Sequence, residues 1–379
     1  MNVVQVFNFR NLYGSGLTES VPSLCTGLSH AGVETNLFAP SARQEWHAAE
    51  FTMHEHPVIS GFSSLGWSPS MLKALRQMAE QASMIHCHEL WTLPGVYASR
   101  VAQEFRKPIV ISPRGTLSSE ALRYSGWRKQ LMWRWRRRQD ILAADCVHAT
   151  ADHECADIRA AGYRGPVAVI PNSLSVPELS PRNHGVRRRL VYLGRIHPIK
   201  GVTMLVDIWK SVFTQFPEWE LEIAGIDDGG YKEQLQQRAD ELCLERFRIR
   251  GPVFGQEKTD FLASADLFCL PTTSDNFAIT VGEALAHCVP VVTTTAAPWK
   301  PVVDHKCGWW VAPKPGAVRT ALETAMKLTT EQLQLMGKRG RDWVRQNFCQ
   351  DSVATQMKET YEWLLGQTTQ PDWINEEIR

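Results

Sequence analysis

The chain has 379 residues, which is more than a single hydrophobic core usually fills, so we expect two domains. Its 41 basic and 40 acidic residues nearly cancel, and this balance gives no reason to expect a nucleic-acid partner. No apolar run approaches the roughly 18 residues that span a bilayer, and no basic segment opens the chain as in a signal peptide, so we expect a cytoplasmic protein.

The first half of the chain alternates short apolar strands with helical segments. Strands are predicted at residues 3–9, 33–38, 84–86 and 108–111, and helices at residues 17–30 and 95–105. Such alternation is typical of parallel sheets that are covered by helices.

The same alternation restarts after Arg187 and predicts a second domain of the same class. Strands are predicted at residues 189–193, 219–224, 247–251, 265–270 and 289–293, and helices at residues 202–216 and 232–244. Residues 171–185 are rich in turn formers and poor in periodicity, which is typical of a linker.

We therefore predict an α/β fold with two doubly wound, Rossmann-like domains facing a cleft. The first is expected over residues 1–178 and the second over residues 179–350. Residues 351–379 are expected to form a terminal helix that packs back towards the first domain, with a frayed tail after Gln367.

The nine cysteines are odd in number and include no Cys-x-x-Cys pair. Most lie in apolar surroundings, as Cys25, Cys146, Cys269 and Cys288 do. We expect reduced core thiols rather than disulfides or a zinc site.

Domains of this class bind ligands at the carboxyl ends of their strands, where three polar turns stand out. In the first turn, Gly14, Ser15 and Gly16 precede a predicted helix, whose free amides and positive dipole suit a phosphate. The spacing is not that of a dinucleotide site, because Glu19 stands where the third glycine would be. A turn that binds nothing is the alternative.

The second turn, which begins at Gly194, carries Arg195 and Lys200 on either side of Pro198. Cations aimed at a diphosphate would stabilise the charge it gains when its bond to a sugar breaks. Solvated surface charges are the alternative. The chain has no Asp-x-Asp pair of the kind that holds a metal on a nucleotide-sugar diphosphate, so we expect neither a metal nor a cofactor.

The third turn joins an apolar strand to a helix, with Asp275 and Glu283 on either side of the junction. Both carboxylates can accept hydrogen bonds from sugar hydroxyls. A glycosidase pair is disfavoured, because eight helical residues span about 12 Å against roughly 5–9.5 Å between glycosidase carboxyls. A helix carboxylate favoured only by the dipole is the alternative for Glu283. The amides expected to meet phosphate oxygens are those of Asn276, Phe277, Ala278 and Ile279.

Two histidines, His86 and His88, follow another predicted strand. A zinc site would need two more ligands, and none cluster nearby in the sequence. We expect His86 to be a satisfied core histidine and His88 to face the cleft, where it would touch a sugar or the acceptor.

Residues 123–138 hold seven cations, three tryptophans and no acid. A basic amphipathic helix with tryptophans predicts contact with an anionic membrane surface or a phosphorylated lipid. RNA would also suit it, and a solvated helix with inward-facing tryptophans is the alternative. The residues expected to touch lipid are Arg128, Lys129, Trp133, Arg134, Arg136 and Arg137.

With these residues the chain resembles the retaining glycosyltransferases of family 4, of the GT-B fold and the bacterial surface-polysaccharide type, over nearly all of its length. The family pattern Glu-x7-Glu is matched by Asp275 and Glu283, and Gly-Arg-x4-Lys-Gly is matched by residues 194–201. The glycine loop is matched by residues 14–16. Further motifs expected in this branch are similar to residues 86–91, 112–117, 148–154 and 171–173.

The resemblance implies an acceptor-binding first domain and a nucleotide-sugar-binding second domain. Arg195 and Lys200 would bind the diphosphate, Glu283 the ribose, and Asp275 with the amides after it the sugar. It also implies transfer with retention and without metal. The acceptor hydroxyl would attack on the face that the diphosphate leaves, and a phosphate oxygen would accept its proton.

Three positions depart from the family pattern and bear on the identity of the donor. Asp275 replaces the more usual Glu, and Ser173 stands where a glycine commonly follows Pro-Asn. Arg114 stands where many relatives carry a histidine near the sugar, so it is expected, with His88, close to the acceptor or the sugar.

We expect a cytoplasmic enzyme, peripheral on the inner membrane face, that moves a hexose from a UDP-sugar to a lipid-linked or lipopolysaccharide-type saccharide. One alternative is a GT-B-type nucleotide-sugar epimerase, which needs only donor and water. Another is a non-enzymatic lipid- or RNA-binding protein centred on residues 123–138.

Overall fold

A computed structural model describes residues 1–9, 16–40, 50–118, 131–178 and 187–376. The chain divides into two compact units. Unit 1 consists of Met1–Ser173 and Gln350–Arg379, and unit 2 consists of Leu174–Cys349. Each unit is built on a sheet of parallel strands with helices between them, so the predicted α/β class is confirmed.

Unit 1 begins with seven strands and five helices in its described residues. The strands are β1 (Asn2–Val6), β2 (Glu34–Pro40), β3 (Thr52–His56), β4 (Met84–Cys87), β5 (Ile109–Ile111), β6 (Cys146–Ala149) and β7 (Val167–Val169). The helices are α1 (Leu17–His30), α2 (Pro69–Ala79), α3 (Leu93–Phe105), α4 (Arg138–Leu142) and α5 (Asp152–Ala160), with short helical turns at Ser63–Leu65 and Trp133–Arg137.

Unit 2 is a second parallel sheet with its own helices. Its strands are β8 (Arg188–Leu193), β9 (Trp219–Ala224), β10 (Phe247–Ile249), β11 (Leu267–Leu270), β12 (Val291–Thr294) and β13 (Gly308–Val311). A 3-10 turn, Pro198–Lys200, precedes α6 (Val202–Val212), α7 (Tyr231–Glu241), α8 (Gly255–Ala263), α9 (Ile279–Ala286), α10 (Pro301–Asp304), α11 (Pro315–Met326) and α12 (Thr330–Asn347).

The end of the chain returns to unit 1 as helix α13 (Gln350–Leu364) and strand β14 (Ile374–Asn375), which pairs antiparallel with β7. The predicted frayed tail is wrong for this segment. The indole of Trp373 donates to Thr360 Oγ1 over 3.0 Å, and Ile374 is buried in a core cluster. Two apolar residues are too short a pattern to predict a strand from sequence, yet burying them is enough to order the segment.

The strand orders place the reversal of each sheet where ligands bind in such folds. In unit 1 the order is β14-β7-β6-β5-β4-β1-β2-β3, and in unit 2 it is β10-β9-β8-β11-β12-β13. The order therefore reverses between β1 and β4, and again between β8 and β11. The crevice at the carboxyl ends of the strands on either side of such a reversal is the expected ligand site.

Both sheets are covered by helices, so their central strands are apolar on both faces rather than alternating. In unit 2 the core includes the fully buried Trp209, Trp219 and Trp299. None of the nine cysteines, all of which lie in described residues, forms a disulfide, and six of them are buried; Cys288, which was expected in the core, is only partly buried. Among the helices that the structure describes, none is both long and apolar enough to cross a membrane.

Candidate active site

The turn after β8 is closed tightly by glycines. The amide of Gly194 donates to the carbonyl of Ala224 over 3.1 Å, and a Cβ on Gly225 would lie 1.7 Å from the Gly194 carbonyl oxygen. The Tyr192 hydroxyl then donates to the carbonyl of Arg195 over 2.7 Å. The backbone that carries Arg195 is thus held by the core, while its side chain is half exposed and forms an ion pair with Asp228 at 2.9 Å.

The 3-10 turn at Pro198–Lys200 is fastened to the turn after β11. The carbonyl of Ile199 accepts hydrogen bonds from the Thr273 amide at 2.9 Å and from the hydroxyls of Thr272 and Thr273 at 3.0 Å. Gly201 has φ of 72°, and a Cβ there would lie 1.9 Å from the Pro271 carbonyl oxygen. Only glycine allows the two turns this close approach.

This close approach brings together two residues that are 75 positions apart in the sequence. The Lys200 ammonium lies 2.6 Å from Asp275 Oδ2, and the side chains are only 16% and 14% exposed. The other carboxylate oxygen, Oδ1, accepts from the Ala278 amide at 2.9 Å and from the Phe277 amide at 3.4 Å. Two of the four amides predicted to meet phosphate thus already have an anionic partner.

Helix α9 follows directly and carries Glu283 in its second turn. Its N-cap, Ala278, has φ of 56°, a left-handed conformation that directs the chain from the Asp275 turn into the helix. The Glu283 carboxylate pairs with the Lys258 ammonium of α8 at 2.8 Å, and both side chains are largely buried. The sequence analysis assigned no role to Lys258. This residue lies among polar residues of a helix, and no local pattern marks it as part of a site.

The glycine loop is described only in part, because Gly14 and Ser15 lie outside the described residues. Gly16 is the N-cap of α1, and its carbonyl accepts from the Ser20 amide at 3.0 Å. Its φ is −57°, which any residue can adopt.

At the carboxyl edge of the unit 1 sheet, the Arg114 side chain connects residues that follow two other strands. It follows β5 with φ of 57° and is 8% exposed. Its guanidinium donates to Asn172 Oδ1, beyond β7, and to His88 Nδ1 at 2.9 Å, beyond β4. The structure therefore brings Arg114 and His88 together, and it adds Asn172, to which the sequence assigned no role.

His88 is buried, and its second ring nitrogen lies 2.7 Å from Gln5 Oε1. The prediction that His88 touches a sugar is therefore wrong, because both ring nitrogens are bonded within the protein. His88 instead positions Arg114. His86 is also buried with both ring nitrogens bonded, to Tyr361 and Ser112, as expected for a core histidine.

A chain of buried hydrogen bonds continues from Arg114, and its two ends fix the direction of every bond. The guanidinium can only donate, so His88 Nδ1 accepts and Nε2 carries the proton. At the far end the Ile170 carbonyl can only accept, so His148 Nε2 donates over 2.8 Å. The links between them run in order through Gln5, Tyr361, His86 and Ser112.

The bond directions require the same neutral tautomer, protonated on Nε2, in all three histidines of this chain. Burial favours the same neutral form, because it lowers the pKa of His86 and His88 well below the usual value and that of His148 to about 3. Tyr361 belongs to α13, so the C-terminal helix supplies one link.

The basic segment differs from its prediction in which side chains are exposed. Arg137 is fully buried, where it pairs with Asp140 at 2.5 Å and donates to the Leu90 carbonyl at 2.6 Å, so its predicted lipid contact is wrong. Trp133 is partly buried against the unit 1 core, and its predicted lipid contact stays a prediction. Trp135, which was not singled out, is 67% exposed.

The remaining members of that prediction divide into three cases. Arg134 is exposed, and Arg136 is partly buried and pairs with Asp140 at 2.8 Å. Arg128 and Lys129 lie outside the described residues. A helical repeat places Trp133 and Trp135, two residues apart, on different faces, but it does not say which of the two faces the core.

Comparison with known proteins assigns the chain to a family. Residues 15–173 match the glycosyl transferase 4-like domain, and residues 187–327 match the glycosyl transferases group 1. A phosphatidyl-myo-inositol mannosyltransferase of Mycobacterium leprae is 35% identical over 132 residues, 33% of this chain and 34% of that protein. The chain thus spans about a third of the length of that relative.

Solved structures share the fold at low identity. Sucrose-phosphate synthase from Thermosynechococcus elongatus has a TM-score of 0.79 at 18% identity, over 97% of this chain and 100% of that one. HepE of Anabaena, solved with UDP and glucose, has a TM-score of 0.76 at 17% identity, over 96% and 100%. WaaG, a glycosyltransferase involved in lipopolysaccharide biosynthesis, has a TM-score of 0.71 at 14% identity, over 97% and 100%. The chain belongs to the family 4 type of glycosyltransferases with the GT-B fold.

Proposed function

We propose that the protein is a retaining, metal-independent hexosyltransferase that uses a UDP-sugar and a lipid-linked or lipopolysaccharide-type saccharide acceptor. The observation that carries this proposal is the ion pair of 2.6 Å between Lys200 and Asp275 at the carboxyl edge of the unit 2 sheet. A cation and a carboxylate held side by side match the two parts of a sugar diphosphate, which are an anion and a set of hydroxyl donors.

In this mechanism Lys200 stabilises the leaving group. The bond between the anomeric carbon and the diphosphate oxygen breaks, and that oxygen gains negative charge. An ammonium already fixed by Asp275 needs little reorganisation to meet that charge. Arg195 can add a second cation, because its ion pair with Asp228 is half exposed and therefore weak.

Asp275 and Glu283 orient the two ends of the donor. Asp275 Oδ2 would accept a hydroxyl hydrogen of the sugar while it holds Lys200. Glu283 would accept from the ribose hydroxyls, and its partner Lys258 fixes the carboxylate at 2.8 Å. The amide of Ile279 is the turn amide that we assign to phosphate, since Asp275 bonds those of Phe277 and Ala278.

Retention follows if the acceptor oxygen attacks the face that the diphosphate leaves. The new bond joins that oxygen to the anomeric carbon, and the acceptor proton passes to a phosphate oxygen of the leaving diphosphate. No side chain is then required as a nucleophile. Lys200 and Arg195 supply the positive charge that a metal supplies in other transferases.

Ligand-induced melting shifts test the donor class, because a ligand that binds only the folded protein raises its melting temperature. We expect UDP and UDP-hexoses to raise it, and Lys200→Ala and Glu283→Ala to remove the shift. A larger shift with GDP- or ADP-sugars would contradict the UDP assignment, and no shift with any nucleotide would contradict the donor site.

Donor turnover followed by NMR tests the reaction itself. We expect the sugar transferred to acceptor saccharides to keep the anomeric configuration of the donor, and the rate to persist in EDTA. An inverted product or a rate abolished by EDTA would contradict the mechanism. Release of a new free sugar from donor and water alone would indicate an epimerase instead.

A lipid-linked acceptor requires access to a membrane surface, and unit 1 has an exposed stripe that suits one. Leu131, Trp135 and Arg138 are exposed at helical spacing, and Leu142 continues the stripe. Apolar side chains with flanking cations are typical of helices that lie in the membrane interface. A second exposed apolar set follows β3, at the carboxyl edge of the same sheet, and consists of Ile59, Phe62, Leu65 and Trp67.

Vesicle sedimentation tests this contact. We expect the protein to bind vesicles that contain phosphatidylglycerol and not vesicles of phosphatidylcholine alone. Trp135→Ala with Arg138→Gln should weaken the binding, whereas Leu335→Ala, which changes an exposed apolar residue of unit 2, should not. Equal binding by both variants would contradict the assignment of this stripe.

A further inference from the structure

Arg114 is a buried cation that forms no ion pair with a carboxylate of the described residues. It is 8% exposed, and no ion pair within 4.0 Å joins it to an acid among the described residues. Its two bonded nitrogens contact neutral groups, the Asn172 amide oxygen and the His88 ring. A charge taken from water without a counter-ion costs several kcal/mol in real proteins, so it is normally paired.

The groups around Arg114 are committed to other hydrogen bonds and compensate its charge only in part. His88 is held neutral by the chain of hydrogen bonds that runs to the Ile170 carbonyl. Glu154, the acid whose charge acts on Arg114, uses its carboxylate to accept from the Gly115 and Thr150 amides and from the Thr150 hydroxyl. Burial lowers the pKa of Arg114 to about 10, and Glu154 only partly offsets this effect.

One donor of the guanidinium is also unused. Arg114 Nε is buried and has no hydrogen-bond partner in the part of the chain that the structure describes. The orientation of the group is nevertheless fixed from both sides, by the loop after β7 and by the end of β4. A guanidinium of fixed orientation with spare positive charge is suited to the planar, multiple hydrogen bonds of a carboxylate or phosphate.

We propose that Arg114 binds an anionic oxygen group, a phosphate or a carboxylate, of a ligand at the carboxyl edge of the unit 1 sheet. This inference rests on the proposed function, since it makes that ligand one of the two substrates of transfer. The group would belong to the acceptor, which would make the enzyme selective for an anionic acceptor, or to the donor diphosphate. Arg114 would then be a specificity-determining residue rather than a generic sugar contact.

Calorimetric titration with matched probes tests the inference. Glucose 6-phosphate differs from glucose by one phosphate, and methyl glucuronide differs from methyl glucoside by one carboxylate. UDP is the probe for the donor side. We expect wild type to bind at least one anionic probe about tenfold more tightly than its neutral partner, or than uridine in the case of UDP. Arg114→Gln should remove that difference, and Arg114→Lys should keep part of it.

Arg106→Gln is the matched control, since Arg106 is also an arginine with positive φ but is exposed. Circular dichroism of each variant reports the fold independently of binding. Loss of the glucose 6-phosphate or glucuronide preference places the anion on the acceptor, and loss of UDP affinity places it on the donor. An unchanged preference in a folded Arg114→Gln, or no anion preference in wild type, would overturn the inference.

The test separates this inference from the proposed function. Lys200→Ala should weaken UDP binding and leave the preference for the anionic sugar unchanged. A protein that shows the Arg114-dependent preference but never turns over a nucleotide sugar would contradict the proposed function and not the inference. The reverse pattern, turnover without any anion preference, would contradict the inference alone.

Discussion

At the scale of single residues, Lys200 is the side chain on which the chemistry depends most directly. Lys200→Ala removes the cation next to the leaving diphosphate, so we expect kcat/KM to fall by about 100-fold or more. The change also leaves the largely buried Asp275 without its cation, so the melting temperature should fall while the fold is kept. Donor turnover measures the loss, with the exposed Lys327→Ala as the control. Similar rates in both variants would contradict the assigned role.

Gly201 is the residue that makes the Lys200 position attainable. Gly201→Ala would combine a strained φ of 72° with a Cβ 1.9 Å from the Pro271 carbonyl oxygen. We expect it to lower the stability of unit 2 by about 2 kcal/mol or more and to reduce donor affinity as well, measured by urea unfolding and UDP titration. Gly316→Ala is the control, because nothing lies within 4 Å of the added atom. A Gly201→Ala protein with wild-type values would show that the two turns need not touch.

At residue scale the sequence was informative for two residues that follow apolar strands, although His88, which also follows a strand, is buried instead. Lys200 and Asp275 were predicted from their position after apolar strands and from the family pattern, and the structure joins them directly. Lys258 could not be predicted, because its role depends on how α8 packs against α9 and not on its own neighbours. Arg137 was assigned to the surface by its charge, although Asp140, three residues later, pairs with it in the core.

At the scale of helices and strands, the contact between α1 and α13 joins the two segments of unit 1. Gly27 allows it, since a Cβ there would lie 2.8 Å from Ala354 Cβ and 2.9 Å from Gln350 Cγ. We expect Gly27→Val to force the helices apart and to cost about 1–3 kcal/mol. Calorimetry measures the loss, and hydrogen exchange should locate it in α13. Adding Ala354→Gly should recover part of the stability, and no recovery would contradict the contact as the cause.

Many of the elements were predictable, because strand and helix periods are local properties of the sequence, but strands β6, β7 and β13 were not predicted. The predicted helix at residues 17–30 is α1, with the same bounds. Strand β3 was not predicted, since its Met53, His54 and Glu55 give no apolar run, and pairing with β2 orders it instead. The antiparallel strand β14 was also missed. It is ordered by pairing with β7, which lies about 200 residues earlier in the chain and therefore gives no local pattern.

At the scale of the whole molecule, the two units differ in how their stability depends on pH. The described histidines whose pKa burial lowers are His54, His56, His86, His88 and His148, and all five belong to unit 1. A folded-state pKa below the unfolded value of about 6.5 favours the neutral, folded form above that pH. This contribution is lost as the pH falls, because the unfolded chain then takes up protons that the folded chain does not bind.

We therefore expect unit 1 to lose stability before unit 2 as the pH is lowered from 7.5 to 5.5. The three histidines of the Arg114 chain should outweigh Glu89 of unit 1, whose pKa burial raises to about 7 and which therefore acts in the opposite direction. A proton on His88 Nδ1 would face the Arg114 guanidinium, and a proton on His86 or His148 would turn a buried hydroxyl into an acceptor and displace its own hydrogen bond. Hydrogen exchange measures this directly, once corrected for the pH dependence of the intrinsic rate. Amides of β4 and β6 should lose protection while those of β8 and β11 keep it. Earlier loss of protection in β8 and β11 would contradict this prediction. Imidazole NMR signals of His86, His88 or His148 that titrate near pH 6.5 in the folded protein would show that these histidines are not held neutral.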